Sequence, residues 1–316
     1  MYYLGVDVGG TNIAVGIIDE SNKIVAKASV KCPVPCTEDF FCDTIVATCK
    51  EALDKLELTF DDVPWIGIGC PGTVNRATGI IEFANNLYFE NFKLRDMVAE
   101  RTGGKLVVIE NDANAAAYGE YQAGALIGAN HALAITLGTG VGGGIIIDGK
   151  VYSGSNFAGG ELGHTVIVVD GRPCTCGRKG CWETYASATG LIKTTKEHMA
   201  DAPKDSPIWT IVDGDINKVN GRTAFDAMRD GDPTAKSVVE EYISYLSCGL
   251  VNIINIFQPD VLCIGGGISN EGENLLGPVR SYVERERYTK HNDKQTVICK
   301  CTLGNDAGII GAAYLD

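Results

Sequence analysis

Two stretches of this sequence, about 130 residues apart, share one build. In the first, an apolar run over 2–8 meets Gly9-Gly10-Thr11-Asn12 and continues as a second apolar run over 13–19. In the second, 131–136 meets Leu137-Gly138-Thr139-Gly140-Val141-Gly142-Gly143-Gly144 and continues over 145–148. Short apolar runs bounded by glycine read as strands joined by tight turns. Their recurrence points to a duplicated module, and so to an α/β chain of two related parts. A glycine-rich tip also presents backbone N–H groups to an anion. A plain hairpin turn accounts for Gly-Gly-Thr equally well when it is taken alone.

The rest of the chain alternates strands and helices. A third strand over 23–31 completes an opening meander. Helical periodicity follows over 39–56, and a strand over 64–69 ends at the turn Cys70-Pro71-Gly72. A strand-like run over 79–83 leads to Asn85-Asn86, a helix over 92–102 stops at Gly103-Gly104, and 105–110 reads as a strand. Asn111 and Asp112 then stand where that strand gives way to an alanine-rich helix. Asp112 there is either a helix cap or a ligand-facing acid, since strand C-termini in α/β folds are where ligands bind. Further helices are expected over 184–197, 234–257 (stopped by Pro259) and 307–314, and a buried strand over 261–264 opens a third cluster, Gly265-Gly266-Gly267. The polar stretch 201–232, with Pro203, Pro207, Asp213-Gly214 and Asn220-Gly221, reads as a loop-rich peripheral insertion.

One segment carries a metal signature. Glu161-Leu-Gly-His164 is followed by Cys174, Cys176, Cys181 and Glu183, which puts one His and three Cys within 18 residues. Imidazole and thiolate suit Zn²⁺, and four such ligands make a closed tetrahedral site. Gly171, Gly177 and Gly180 supply the tight bends these spacings need. Unconnected cysteines in a glycine-rich loop are the alternative. Glu161, the far nitrogen of His164 and Glu183 are interleaved with the ligands, and a metal that only stiffened a loop would not need them.

Composition narrows the partners. A length of 316 residues suggests about two domains. A net charge of −13 disfavours nucleic acid and anionic membrane as main partners, though backbone N–H groups can still hold a phosphate. Twelve cysteines in a chain this large, opening Met-Tyr-Tyr-Leu-Gly-Val-Asp without a basic or apolar leader, fit a reducing cytoplasm; Cys70, Cys248 and Cys263 read as small buried residues. No apolar run is long enough to span a bilayer.

The motifs Asp7-Val-Gly9-Gly10-Thr11, Glu110-Asn111-Asp112-Ala-Asn114, Leu137-Gly138-Thr139-Gly140-Val-Gly-Gly-Gly144, Glu161-Leu-Gly-His164 and Cys174-x-Cys176-Gly-x-x-Gly180-Cys181-x-Glu183 occur in that order. Together they resemble the ROK family (repressor, open reading frame, kinase) of sugar kinases, and within it the glucokinases. The resemblance implies an actin-like ATPase (ribonuclease H-like) α/β fold of two domains with an interdomain cleft. The smaller domain would take 1–116 with 302–316, and the larger 117–301 with the zinc stretch 161–183. It implies ATP- and Mg²⁺-dependent phosphorylation of a hexose at its 6-hydroxyl, glucose first. Fructose, mannose, allose, N-acetylglucosamine, N-acetylmannosamine and a polyphosphate donor stay open.

By the same resemblance Asp112 falls on the catalytic base and also touches the sugar. Asp7, Gly9, Gly10, Thr11 and Asn12 fall on the first phosphate and Mg²⁺ site, Gly138, Thr139 and Gly140 on the second phosphate loop, and Gly265 and Gly266 on the adenosine side. Gly72, Asn86, Asn111, Glu161, His164 and Glu183 fall on the sugar. His164, Cys174, Cys176 and Cys181 fall on structural zinc. A homodimer or higher homo-oligomer is implied. A sugar-responsive repressor or catalytically dead sensor is the competing class; Asp7 lies so near the start that a preceding helix-turn-helix is not expected, and a dead sensor would be expected to lose Asp112 or a phosphate loop.

Overall fold

A computed structural model describes residues 1–316 apart from Thr11, Pro33 and Asp316. The chain opens with strands β1 (Tyr3–Val8), β2 (Asn12–Ile18) and β3 (Ile24–Lys31), followed by helix α1 (Glu38–Asp54). Strands β4 (Ile66–Cys70), β5 (Thr73–Asn75), β6 (Ile80–Ala84) and β7 (Phe89–Phe92) come next, then α2 (Leu94–Arg101), β8 (Val107–Asn111) and α3 (Asp112–Ala123). A second run of strands, β9 (Ala132–Leu137), β10 (Val141–Ile147) and β11 (Lys150–Val151), precedes helices α4 (Glu183–Ala186), α5 (Ala188–Met199), α6 (Pro207–Ile211), α7 (Thr223–Arg229) and α8 (Pro233–Phe257). Strand β12 (Val261–Gly265), α9 (Glu273–Glu286), β13 (Val297–Lys300) and α10 (Ala307–Ala313) complete the chain.

The first sheet runs β3-β2-β1-β4-β8. Strands β1 to β3 pair antiparallel, while β4 lies parallel to β1 and β8 parallel to β4. Every residue of β4 is buried, as befits a central strand covered on both faces. Glycines decide what covers one face. A Cβ on Gly5 would come within 2.0 Å of the Ile309 carbonyl, and one on Gly67 within 1.7 Å of the Ala312 carbonyl. Only bare backbone there lets α10 lie directly on the sheet. The far side of α10 meets α3 equally closely, since a Cβ on Gly311 would reach 1.7 Å from the Ala115 carbonyl.

That contact also moves the expected domain boundary. The chain divides into two compact units, Met1–Ala134 with Gly144–Gly160 and Cys301–Asp316, and Ile135–Gly143 with Glu161–Lys300. A split between 116 and 117 would cut α3, which is continuous to Ala123 and packs along its length on α10. Residues 117–134 therefore group with the first unit.

The other five-stranded sheet has the order β11-β10-β9-β12-β13, with β12 parallel to β13. Its glycines serve a purpose the sequence reading put elsewhere. Strand β10 starts at Val141 rather than Ile145, so Gly142 to Gly144 belong to the strand and the turn is only Gly138-Thr139-Gly140. A Cβ on Gly144 would stand 2.3 Å from the Ala117 Cβ, so the strand backbone lies against α3.

Three further expectations change. The stretch 201–232 is not loop: it folds as α6, a 3₁₀ turn over Ile216–Lys218 and α7 around its own apolar cluster of Met199, Ile208, Trp209, Val212, Ala227 and Ala235. Buried Asp232 fastens it, accepting from the backbone N–H of Ile208 and Ala235 at 2.8 and 2.9 Å. The helix expected over 184–197 breaks at Ser187, which caps α5 by accepting from Gly190 N–H at 3.0 Å. The helix expected from Phe92 starts at Leu94, because 89–92 is a strand of the small sheet β5-β6-β7. All twelve cysteines are free of disulfides; Cys70 and Cys263 are buried and Cys248 half-buried. Among the described residues, no helix is long and apolar enough to cross a membrane.

Candidate functional site

The parallel register of β1, β4 and β8 brings three strand ends into one row, with Asp7 opposite Gly69, Gly69 opposite Glu110 and Cys70 opposite Asn111. Helix α3 starts at that row. Its N-cap is Asn111, whose Oδ1 accepts from Ala113 N–H at 2.9 Å and Asn114 N–H at 3.2 Å. Asp112 is thus the first helical residue and not the cap, with its Oδ1 accepting from Ala113 N–H at 2.9 Å. The Asn111 amide also donates to the Gly72 carbonyl at 3.1 Å. Gly72 is held at φ +104° against the Phe83 carbonyl, and Asn86 is exposed in the turn after β6.

Asp7 and Asp112 act on each other electrostatically. Burial first, and then the Asp112 carboxylate, push the Asp7 carboxyl up to about 6, while Lys27 pulls it down. A Cβ on Gly308, at the start of α10, would meet the Asp7 carboxylate at 2.7 Å, so that glycine makes room for the acid. Next to Asp7 the hairpin closes with Gly9 N–H donating to the Asn12 carbonyl at 2.8 Å. Thr11 lies outside the described residues.

The second glycine turn belongs to the second unit. Gly138 N–H donates to the Gly140 carbonyl at 3.0 Å, and the Gly138 and Thr139 carbonyls accept from Ala188 N–H and Thr189 Oγ1, each at 2.8 Å. The Glu183 carboxylate accepts from Val141 N–H at 3.0 Å, and a Cβ on Gly140 would come within 2.2 Å of it. Gly266, which follows Gly265 at the end of β12, sits at φ +84° with its Cβ position 2.4 Å from the Leu137 carbonyl. The third glycine cluster therefore packs on the residue that opens the second turn. Gly10, Gly138 and Gly267 differ from these: none has a positive φ, and a Cβ on any of them would meet nothing within 4 Å. Neither backbone conformation nor internal packing demands glycine at those three places.

His164, Cys174, Cys176 and Cys181 place their ligand atoms within 4.8 Å of one another. Cys174 Sγ lies 3.5 Å from His164 Nδ1, and Cys176 Sγ lies 3.6 Å from Cys181 Sγ. A tetrahedral Zn²⁺ with usual bond lengths has an S–N edge of about 3.6 Å and an S–S edge of about 3.8 Å, whereas a disulfide would bring sulfurs to about 2.0 Å. These two edges match the metal, and the donor types are those that zinc takes. Cys176 is pulled below the usual thiol range, first by the Arg178 backbone N–H, while burial raises Cys181. Gly180 makes the loop possible: at φ +77°, its Cβ would fall 1.6 Å from the Val168 carbonyl. Arg172 braces it, donating to the Thr184 carbonyl, Thr194 and Glu197 and lying over the Tyr185 ring. Beyond the ligands, buried Trp182 donates to the Tyr245 carbonyl at 3.0 Å, and Gly249 leaves room for its ring. The other ring nitrogen of His164, Nε2, stands 3.9 Å from the exposed Glu161 carboxylate.

Comparison with known proteins decides the family. The ROK family model matches residues 3–316. The chain belongs to the ROK family. Its similarity to curated glucokinases is end to end: it is 39% identical to a glucokinase of Halalkalibacterium halodurans over 99% of this chain and 94% of that protein. Against a glucokinase of Streptomyces coelicolor it is 36% identical over 99% of this chain and 96% of that one. Among solved structures it resembles a ROK family glucokinase from Streptomyces griseus in complex with glucose and AMPPNP, with a TM-score of 0.81 and 37% identity over 99% and 98% of the two chains. The fold is accordingly the actin-like ATPase fold. In this ROK chain two residues at the α3 junction had been given no role from sequence. Glu110, the last residue but one of β8, is fully buried, and Arg76 approaches it from the loop after β5. The available signal was an acid closing the apolar run Val107-Val108-Ile109.

Proposed function

We propose that this chain is an ATP- and Mg²⁺-dependent hexose kinase that phosphorylates glucose at its 6-hydroxyl. The observation that carries the reading is the end-to-end similarity to a glucokinase that binds glucose and AMPPNP. Local geometry supports it. Phosphoryl transfer depends mostly on positioning and charge neutralisation. Open glycines at Gly10, Gly138 and Gly267 suit backbone approach to a nucleotide. Gly9, Gly10, Thr11 and Asn12 would take one set of phosphate oxygens, Gly138, Thr139 and Gly140 another, and Gly265 with Gly266 the adenosine side. Asp7 would hold Mg²⁺, which supplies neutralising charge to the phosphates; a carboxyl pushed up to about 6 by burial and a neighbouring acid fits a divalent cation.

Asp112 is the general base of this reading. It would accept the proton of the sugar's 6-hydroxyl as that oxygen attacks the γ-phosphorus. Gly72, Asn86, Asn111, Glu161, His164 and Glu183 would read the other hydroxyls, since buried polar groups left unpaired reject the wrong epimer. His164, Cys174, Cys176 and Cys181 would hold structural zinc, whose contribution is to stiffen the stretch from Glu161 to Glu183. With Nδ1 on the cysteine side, His164 keeps Nε2 for a sugar hydroxyl. A cytoplasmic homodimer or higher homo-oligomer completes the reading by family likeness.

A coupled assay with MgATP across glucose, fructose, mannose, allose, N-acetylglucosamine and N-acetylmannosamine tests it. The highest kcat/KM is expected for glucose. A panel in which no hexose is phosphorylated would overturn the reading in favour of a sugar sensor.

A further inference from the structure

We propose that Glu110 is a positioning residue for phosphoryl transfer, holding the Asn111–Asp112 junction and the β5–β6 hairpin in one frame; the inference rests on the kinase reading above. Glu110 is 1% exposed near the end of β8. Its Oε1 accepts from Asn111 N–H at 2.9 Å and from the buried Asn114 side-chain amide at 3.1 Å. Its Oε2 accepts no hydrogen bond and lies 3.7 Å from Arg76 Nη1.

A buried carboxylate is costly unless it is paired, and a neutral amide could accept the same two hydrogen bonds. The charge itself therefore needs a cause, and Arg76 supplies one. Arg76 stands directly after β5, in the loop that leads to β6 and on to Asn86. The same segment is tied to the junction a second time, through the Asn111 amide on the Gly72 carbonyl at 3.1 Å. Residues 72–76 and 110–111 are thus fastened at both ends of a short span. One side of that frame carries the proposed base and the other the proposed sugar-side loop. An error of about 1 Å between a base and its substrate costs roughly 100-fold in rate, so a frame shared by the two has a catalytic consequence.

A purely structural Glu110 would make different predictions from a positioning one. Glu110→Gln keeps the shape and an acceptor for Asn111 and Asn114 but removes the charge that faces Arg76. Arg76→Gln removes the other partner at a partly exposed site, and it carries the test should Glu110→Gln fail to fold. Each single variant should lower kcat/KM for glucose about 30- to 100-fold while leaving KM for ATP within about twofold of wild type. The double variant should be no worse than either single one, because both break the same link. A merely structural role would instead lower the melting temperature and the active fraction, with both KM values and the rate per folded molecule intact; that result would overturn the inference. So would single-variant losses that multiply in the double variant, or an active wild type beside an unaffected Glu110→Gln. A wild type that phosphorylates no hexose would overturn the kinase reading and this inference with it.

Discussion

A helix start needs an acceptor for its first N–H groups, and at α3 Asn111 supplies it. The cap role thus falls to Asn111, and the proposed base role is what remains to be tested at Asp112. Asp112→Asn should lower kcat by about 10²- to 10⁴-fold, the usual worth of a general base, with no loss of melting temperature at pH 7, because the cap and an oxygen for Ala113 N–H both remain and the repulsion of Asp7 is relieved. Steady-state kinetics alongside a thermal melt check this; a variant with near-normal turnover would remove Asp112 from the base role. Asp7 makes a prediction of opposite character. Its carboxyl moves from an ordinary 3.8 to about 6 on folding, so between those values the folded state holds a proton that the unfolded state has lost. The contribution of that proton to stability is whole below about pH 4 and is lost as pH rises through about 6. Without Mg²⁺, Asp7→Asn should therefore melt above wild type at pH 7, by a margin that shrinks towards pH 4. Melting curves that run parallel across that range would contradict the assignment.

Among elements, the loop from Glu161 to Glu183 gathers the side chains of His164, Cys174, Cys176 and Cys181, with little apolar burial beyond Leu162, Cys181 and Trp182. Cys176 is exposed, so Cys176→Ser deletes one ligand without opening the core. Zinc content measured by mass spectrometry should fall from about one per chain, and KM for glucose should rise about tenfold or more before KM for ATP moves. Full zinc retention, or an unchanged sugar KM after zinc loss, would show that the loop does not depend on the metal. This loop was legible in the sequence because ligand spacing is a local signal. The opening meander, β4, β8, α8 and β12 were legible for a similar reason, as apolar runs bounded by turns. What stayed hidden depends on distant partners. Gly142 to Gly144 read as turn because glycine does, yet they lie in a strand that packs on Ala117. The helices α6 and α7 were masked by Asp-Gly and Asn-Gly turns and become visible only through the cluster around Trp209. The role of Asn111 as cap, and the approach of Arg76 to Glu110, are facts of side-chain geometry that no spacing encodes.

For the whole molecule, ROK membership and the fold follow from motifs strung along nearly the full chain, each weak alone and specific in order. The net charge of −13 bears on partners and not on the fold: it disfavours nucleic acid and anionic membrane surfaces. The central claim is transfer of the γ-phosphoryl of ATP to the primary hydroxyl of glucose. The most direct measurement incubates the wild-type chain with MgATP and glucose and follows the product by phosphorus NMR. A new phosphomonoester coupled to the C6 protons, appearing with ADP in equal amount, is the predicted result. Absence of that product with ATP and glucose both intact, or a phosphate on any other carbon, would contradict it.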